Sequence, residues 1–287
     1  MKSLIDSIMA NPGNSVALGA IMIVVIAAYI YVQNEWIEVK MYKIKIPKLP
    51  TLFEGFKIVQ VSDTQFPHNA SNVMGLLALI KKQNPDLIVV TGDMIDRRGR
   101  DLEKDGTVAF CHELVKICDV YAITGNHEYT SPLYEEWKTL ITKCGIRLLL
   151  NEYTILERDN DRIALLGLDI DVPYHEDQFQ SDLYEIRGIP RILLSHKPNL
   201  NKSFESDKNA IRPHLVLSGH AHGGQFRIPF WRGLYSPDQG VLPKYTNGLY
   251  ALENNVTMLV SRGLGNSSFP FRLNNRPHMP VIILKST

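Results

Sequence analysis

This sequence of 287 residues contains few cysteines and carries almost no net charge. Its three cysteines, Cys111, Cys118 and Cys144, include no CxxC pair. The odd count excludes a complete disulfide framework, so we interpret them as buried or idle thiols. The formal net charge is only +1. Proteins that bind nucleic acid usually carry a strong positive charge, so we expect no nucleic-acid partner.

Internal repeats, low-complexity tracts and a second domain boundary are also missing after residue 50. These absences exclude a repeat architecture. Hydrophobic residues make up 45% of the chain, which is enough for one sizeable core. We therefore predict a single domain over residues 51–287.

Charge is absent from residues 16–32, VALGAIMIVVIAAYIYV. Membrane-spanning helices typically need about 20 apolar residues, so this run is at the short end of that class. Tyr29, Tyr31 and Trp36 lie at one end, where aromatic rings favour the membrane interface. A cleaved signal peptide is the alternative, but no clear A-x-A site follows the run. We predict a tail at 1–15, a single-pass anchor at 16–33 and a linker at 34–50, in the plasma membrane.

The orientation of this anchor is not fixed by the neighbouring charges. Lys40, Lys43, Lys45 and Lys48 follow the span, and Lys2 precedes it. The positive-inside rule would keep the large C-terminal part in the cytoplasm. The four lysines also alternate with apolar residues, as in a strand, so the sequence leaves the side of the membrane open.

Short apolar runs recur after the linker: FKIVQVSD, DLIVVTGD, DVYAITGNH, RIALLGLD, RILLSH and HLVLSGHAH. They are rich in Val, Ile and Leu without strict alternation, which is typical of strands buried on both faces. Between the first two, Val73, Leu76, Leu77 and Ile80 follow the spacing of one helix face. Alternating strands and helices predict a layered α/β domain.

Polar side chains with metal-binding chemistry follow five of these runs. One Asp after a strand is often a turn or a helix cap, and one His is often packing. Together, two carboxylates, an amide and several imidazoles at one sheet edge predict two divalent ions, which Asp93 could bridge. Such a pair could activate a water and clamp the oxygens of a phosphorus centre. We expect Mn, with Fe, Zn or Ni as alternatives. The residues are Asp63, Asp93, Asn126, His127, His196, His220 and His222.

The ordered blocks SDxQ, GDMID, GNHE, SHKP and SGHAHGGQ resemble the calcineurin-like metallophosphoesterases, from about Phe53 onward. The resemblance implies a four-layer α/β/β/α sandwich. It also implies that Asp63 and His222 hold the first metal, that Asp93 bridges, and that Asn126, His196 and His220 hold the second. His127 would contact the phosphate and act as an acid toward the leaving group. Asp96 and Glu128, beside the motifs, are interpreted as groups that orient the ligands.

The apolar anchor and two further segments are most similar to a membrane-anchored bacterial branch of that family. The segments are GHAHGGQFRIPF and SRGLGNSSFPFRLNNRP. Some members of this branch hydrolyse UDP-2,3-diacylglucosamine, so the resemblance implies a substrate that is a phosphoester and is either a small molecule or linked to a lipid.

Gln65 departs from the family pattern, which usually has a His ligand to the first metal at this position. A Gln carbonyl oxygen is a poorer donor than imidazole to a transition metal. Gln65 could ligate weakly, a water could replace it, or the first metal could be lost. His68 could also reach in, but an exposed loop His is the simpler interpretation. We expect an active enzyme with an altered first-metal site.

The stretch 226–250 is aromatic and rich in Gly and Pro. It could be a loop that caps the sandwich, or a lip that faces substrate or membrane. Arg227 and Arg262 are the basic residues that we expect to bind substrate or support ligands, with a solvated basic face as the alternative for Arg262.

The function predicted from these residues is a membrane-anchored phosphoesterase that hydrolyses a phosphate ester or pyrophosphate by metal-activated hydroxide attack. A membrane-tethered binding or regulatory protein with an impaired site is one alternative, supported by Gln65. A nuclease is the other, and the near-zero net charge argues against it. The oligomeric state is left open.

Overall fold

The computed structural model describes residues 12–67, 73–170, 185–201, 211–228, 233–266, 269 and 271–287. These residues form five α-helices and fourteen β-strands. The helices are α1 Pro12–Glu35, α2 Val73–Lys82, α3 Thr107–Leu114, α4 Asn126–Thr130 and α5 Tyr134–Lys143. The strands are β1 Glu38–Ile46, β2 Lys57–Val61, β3 Leu87–Thr91, β4 Val120–Ile123, β5 Arg147–Leu148, β6 Glu152–Arg158, β7 Asp161–Gly167, β8 Arg191–Leu194, β9 Leu215–Ser218, β10 Tyr235–Ser236, β11 Gly240–Val241, β12 Gly248–Ala251, β13 Thr257–Val260 and β14 His278–Ser286.

Two six-stranded sheets carry the architecture, in the orders β1-β14-β2-β3-β4-β5 and β12-β13-β9-β8-β7-β6. Strands β2 to β5 are parallel, and so are β7, β8, β9 and β13. Each of the six apolar runs in the sequence forms one of the strands β2, β3, β4, β7, β8 and β9, as predicted. The mixed α/β fold class is therefore confirmed.

The two sheets face each other across one hydrophobic core. Side chains of the first sheet, such as Ile58, Val89 and Ile123, pack there with Leu165 and Leu217 of the second sheet. Alternate residues of the first sheet point the other way and pack under α2, α3 and α5. The helical stripe predicted on α2 is confirmed, because Val73, Leu76, Leu77 and Ile80 are its buried residues.

The outer face of the second sheet has its own apolar cluster. Ala164, Leu166 and Val216 pack there with Ile211 and Tyr245 from outside the strands. Among the described residues this face carries no α-helix, and the fourth layer of the predicted sandwich stays a prediction.

Residues 34–50, predicted to be a linker, contribute a strand to the first sheet. Strand β1 pairs with β14 along its length, from Glu38 opposite His278 to Ile46 opposite Ser286. Its alternate residues Tyr42, Ile44 and Ile46 are buried, and the intervening positions are exposed. The sheet therefore begins within the predicted linker, because this alternation buries an apolar face that a free connector would leave in water.

Helix α1 is apolar on all sides and stands apart from the core. The most apolar window of 18 residues within Gly13–Glu35 has a mean hydropathy of 2.4, and none of that window is buried inside the protein. The predicted anchor at 16–33 lies within this helix. By length and composition α1 could cross a membrane.

Candidate metal centre

At five donor residues the backbone is in the left-handed region, which residues other than Gly rarely adopt. The φ angles are 52° at Asp63, 48° at Gln65, 53° at Asp93, 65° at His220 and 44° at His222. Left-handed conformations of such residues are unfavourable, and they persist where the surrounding structure enforces them, often at functional sites. Because all five of these residues follow strand ends, this edge of the sheets is the candidate functional site.

The second of the predicted metal positions is formed by three buried side chains and the half-buried side chain of Asn126. His196 Nε2 lies 3.3 Å from Asp93 Oδ2 and 3.2 Å from Asn126 Oδ1. The same nitrogen lies 3.2 Å from His220 Nδ1. His196 Nδ1 lies 2.7 Å from the carbonyl of Thr91 and donates to it. This bond fixes the ring with its Nε2 aimed at the three other donors.

The chemistry of this cluster fits a divalent cation. In the neutral ring of His196 the Nε2 atom carries a lone pair, and it faces three atoms that also offer lone pairs. One proton on Nε2 could serve only one of them at a time. A cation between the four atoms would accept electron density from all of them, which resolves the repulsion.

The first predicted position is formed on the other side of Asp93. Oxygen and nitrogen donors of Asp63, Asp93 and His222 lie within 4.8 Å of one another, as do those of Asp93, His196 and His220. His222 Nε2 is 3.4 Å from Asp63 Oδ1. Asp93 belongs to both groups, which is the geometry that the bridging role requires.

Gln65 lies in the first group and not in solvent. Its side chain is buried, and its Nε2 is 3.2 Å from His222 Nε2. A half-turn of the amide about its Cγ–Cδ bond exchanges Nε2 for Oε1 at this place. The residue that departs from the family pattern therefore lies beside His222 of the first donor group. His68, the other candidate, lies outside the described residues.

Electrostatics at the centre favour bound positive charge. Burial alone would lower the pKa of His196, but the charge of Asp93 raises it to about 9. Burial likewise opposes ionisation of Asp93, yet His196 holds the pKa of Asp93 far below its usual range. Burial raises the pKa of Asp63 to about 6. A charged carboxylate in this buried site is stabilised by a neighbouring cation, and a divalent ion stabilises it more strongly than an imidazolium does.

The carboxylate of Glu128 connects two of the donor loops. It accepts hydrogen bonds from the backbone N–H groups of Asp93 at 2.8 Å, Ile95 at 3.0 Å and Gly125 at 2.8 Å. Burial raises the pKa of Glu128 to about 7, and the charge of Asp93 adds to this. Gly125 is needed beside it, because a Cβ there would lie 2.2 Å from Asp93 Oδ1.

His127 lies at the rim of the centre, next to Asn126 on α4. Its backbone N–H donates to Asp93 Oδ1 at 2.8 Å. Its Nδ1 accepts from the backbone N–H of Arg97 at 3.4 Å and lies 3.6 Å from Asp96 Oδ2. Because Nδ1 is an acceptor, the proton of the neutral ring is on Nε2. Burial keeps the pKa of His127 below its ordinary value, so this neutral form prevails at pH 7.

Asp238 supports the centre and was not predicted from the sequence. Its Oδ2 lies 3.1 Å from His220 Nε2 and 2.6 Å from Lys197 Nζ. The bonds from His220 and Lys197 hold the pKa of Asp238 well below its usual range. A carboxylate behind a metal-binding imidazole fixes the ring and its tautomer. No local motif marks Asp238, because it is a turn residue 18 positions beyond His220.

The two arginines predicted near the site have internal partners. Arg227 Nη1 donates to the carbonyl of Gly223 at 2.8 Å, so it supports the loop that follows His222. Arg262 Nη2 pairs with Glu38 Oε2 at 2.8 Å. The structure therefore accounts for Arg262 by an ion pair that ties the segment after β13 to β1. Within the aromatic stretch, Phe230 and Trp231 lie outside the described residues.

The profile of the calcineurin-like phosphoesterase family matches residues 56–224. This segment covers more than half of the 287-residue chain. The chain belongs to the calcineurin-like phosphoesterase family. The prediction from the ordered motifs is confirmed, and with it the assignment of the chain as a metal-dependent hydrolase.

Several relatives match well beyond the motifs. The uncharacterized metallophosphoesterase YkuE of Bacillus subtilis is 31% identical over 262 residues, which are 90% of this chain and 88% of the relative. A transmembrane protein with metallophosphoesterase domain of Danio rerio is 28% identical over 300 residues, 99% of this chain and 66% of its own. The phosphodiesterase YaeI of Escherichia coli is 28% identical over 239 residues, 80% of this chain and 82% of the relative. The transmembrane relative and helix α1 together indicate a membrane protein.

Proposed function

We propose that this chain is a membrane-anchored dimetal phosphoesterase that hydrolyses a phosphate ester or pyrophosphate. Helix α1 is the proposed single span, in the plasma membrane. The observation that carries the proposal is the position of Asp93, whose carboxylate is common to two buried groups of donor side chains. Family membership makes hydrolysis of phosphoesters the expected chemistry.

The proposed ligands follow the two donor groups. Asp63, Gln65, His222 and Asp93 would hold the first ion, and Asp93, Asn126, His196 and His220 the second. Imidazole, carboxylate and amide oxygen together suit Mn²⁺ best among the candidate ions, with Fe, Zn and Ni as alternatives. Bound ions of this kind lower the pKa of water and stabilise charge on phosphoryl oxygens.

The other side chains have defined tasks in this proposal. Glu128 holds the backbone of Asp93 in place through the bond at 2.8 Å. To act as an acid toward the oxygen of the leaving group, His127 takes up a second proton on Nδ1, and the carboxylate of Asp96, 3.6 Å from that atom, favours this charged form. Burial of the donors excludes bulk water and strengthens each of these interactions.

Hydrolysis of bis(p-nitrophenyl) phosphate and p-nitrophenyl phosphate by the full chain in detergent with Mn²⁺ tests this proposal. The full chain is needed because a fragment from Thr51 would lack strand β1. His196→Ala should lower the rate by at least about a hundredfold, since losing a direct ligand exceeds losing a supporting group. His112→Ala, an exposed histidine on α3, is the matched control and should retain the rate. Equal rates for both variants would refute the site.

A further inference from the structure

Helix α1 meets the folded domain at the edge that carries the metal donors. Asp63 follows β2, and β14 runs antiparallel to β2, so β14 begins at that edge. Strand β1 runs parallel to β14 and pairs Glu38 with His278, so β1 begins there too. Only residues 36 and 37 separate Glu38 from the end of α1. A bilayer spanned by α1 therefore lies beside the metal end of the sandwich and not beside its far end.

The end of α1 is bound to the domain by several polar contacts. Arg272 donates its backbone N–H to Asn34 Oδ1 at 2.7 Å. Asn275 donates its backbone N–H to Gln33 Oε1 at 3.0 Å. These contacts at residues 272 and 275 fix the direction in which the helix leaves the domain, which a flexible tether would not do.

The same segment holds the loop that carries a proposed metal ligand. Asn275 Nδ2 donates to the carbonyls of His222 at 2.7 Å and Gln225 at 3.0 Å. Gln225 Nε2 donates to the carbonyl of Phe271 at 2.8 Å. One layer of hydrogen bonds thus joins the base of the helix to the metal centre, so the two cannot lie far apart.

Exposed apolar side chains surround this junction. Their exposed fractions are 38% for Ile228, 43% for Phe269, 45% for Phe271 and 38% for Leu273. The rings of Phe269 and Phe271 pack on Phe226, at centroid distances of 5.2 and 5.3 Å, which holds them in place. We name the four exposed residues the docking patch.

Charged and aromatic residues at the helix base match the depth of lipid headgroups. Trp36 is 63% exposed, and the guanidinium of Arg276 lies 5.3 Å from its ring centroid. Arg276 Nε also donates to the carbonyl of Trp36 at 2.9 Å. Tryptophan and arginine favour the boundary between headgroups and acyl chains. The end of α1 thus marks the level of the membrane interface, and the docking patch lies beside it on the surface of the domain.

We propose that the docking patch inserts into the bilayer that α1 spans, so that the metal centre opens at headgroup depth. The centre then takes its phosphoester from an amphiphile held in that membrane. This inference rests on the proposed function for its substrate, and on α1 and the patch for its membrane contact. The occupant of the patch is the surface of a lipid bilayer.

Membrane contact is tested by nitroxide labels on the full chain in phosphatidylcholine–phosphatidylglycerol vesicles. Cys118→Ser and Cys144→Ser remove the partly exposed thiols, and Cys111 is buried. One label is placed by Phe271→Cys and its control by Leu52→Cys. Leu52 lies beyond the far end of β1, roughly 30 Å from the helix base at about 3.3 Å per strand residue. The label at 271 should collide with dissolved oxygen more than with a water-soluble nickel chelate, and the label at 52 should do the reverse. Preference for the chelate at both sites would overturn the inference.

Substrate delivery is tested with two probes and the same vesicles in Mn²⁺. Phe269→Ser with Phe271→Ser should lower hydrolysis of vesicle-borne phosphatidyl-p-nitrophenol by roughly tenfold, since two apolar contacts with lipid are lost. Its rate on soluble bis(p-nitrophenyl) phosphate should stay within about twofold of the unchanged chain. Leu52→Ser, the control, should change neither rate.

The two proposals fail in different ways. Equal losses on both probes, or no loss on the lipid probe, would overturn the delivery of substrate from the membrane while leaving hydrolysis intact. If the unchanged chain hydrolyses neither probe, the proposed function fails, and the labels at 271 and 52 still decide whether the patch enters the bilayer.

Discussion

The two donor groups of the metal centre share one carboxylate but differ in their other ligands. The second group adds the imidazoles of His196 and His220 to Asp93, together with the amide oxygen of Asn126. The first group has a single imidazole, from His222, and the amide of Gln65 lies 3.2 Å from it. Imidazole is the stronger donor to a transition metal, so we expect the first ion to bind more weakly than the second.

The difference lies in one side chain and not in the backbone. Asp63 donates its N–H to the carbonyl of Gly92 at 3.0 Å, and Gln65 donates its N–H to the carbonyl of Asp93 at 3.0 Å. These bonds fix the first loop to the second, so the position of residue 65 is set whichever side chain stands there. The comparison predicts that the altered residue changes how tightly an ion is held, while the backbone of the loop keeps its place.

Removing the shared carboxylate should have the largest effect. Asp93→Ala leaves neither donor group complete, so the full chain should lose both Mn²⁺ ions and at least about a thousandfold in hydrolytic rate. Metal analysis and hydrolysis of bis(p-nitrophenyl) phosphate check this. Asp101→Ala, at a surface carboxylate paired with Lys104, is the control and should keep both ions. Retention of one tight ion by Asp93→Ala would show that the groups do not share it.

Removing one imidazole from each group should separate the two ions. His220→Ala should lose the tighter ion, and His222→Ala the weaker one, each with a rate loss of at least about a hundredfold. Calorimetric titration with Mn²⁺ distinguishes the variants by the affinity of the site that remains. If both variants keep a site of the same affinity, the expected inequality of the two groups is wrong.

Restoring an imidazole at residue 65 should make the two groups more alike. In Gln65→His we expect roughly tenfold tighter binding of the first Mn²⁺, since imidazole replaces an amide at a position already beside His222. The affinity of the second ion should stay within about twofold, which serves as the internal control. An unchanged first affinity would mean that a water, and not residue 65, completes the first group.

Changing the support of one ligand should give the smallest effect. Asp238→Asn replaces the carboxylate behind His220 Nε2, at 3.1 Å, by a neutral amide. The affinity of the second ion should fall by about tenfold, with the first ion less affected. Asp238→Glu should recover part of the loss if the carboxylate acts through His220. Equal weakening of both ions would point to a general disturbance of the loop.

The sequence predicts the strands and the candidate donors for one physical reason. Buried parallel strands appear as continuous apolar runs, and their carboxyl ends meet at the same sheet edge. The side chains after β2, β3, β4, β8 and β9 therefore converge whatever the details of packing. The predicted assignment of each donor to an ion remains a prediction, although the distances around Asp93 agree with it.

Other features depend on tertiary contacts that no local sequence pattern predicts. The lysines after the span suggest either a membrane flank or a strand, and the pairing of β1 with β14 decides for the strand. Asp238 reaches His220 through a turn with no motif of its own. The sequence does not show which group pairs with the positive charge of Arg262, because its partner Glu38 lies 224 residues away.

Anomalous scattering from crystals of the full chain with Mn²⁺, recorded at the manganese edge, tests the central claim most directly. We predict two peaks that share Asp93, the one beside Gln65 and His222 having the lower occupancy when manganese is limiting. Gln65 should then present Oε1 to the weaker ion. A single peak beside His196 and His220 at saturating manganese would contradict the dimetal account and favour the impaired-site alternative.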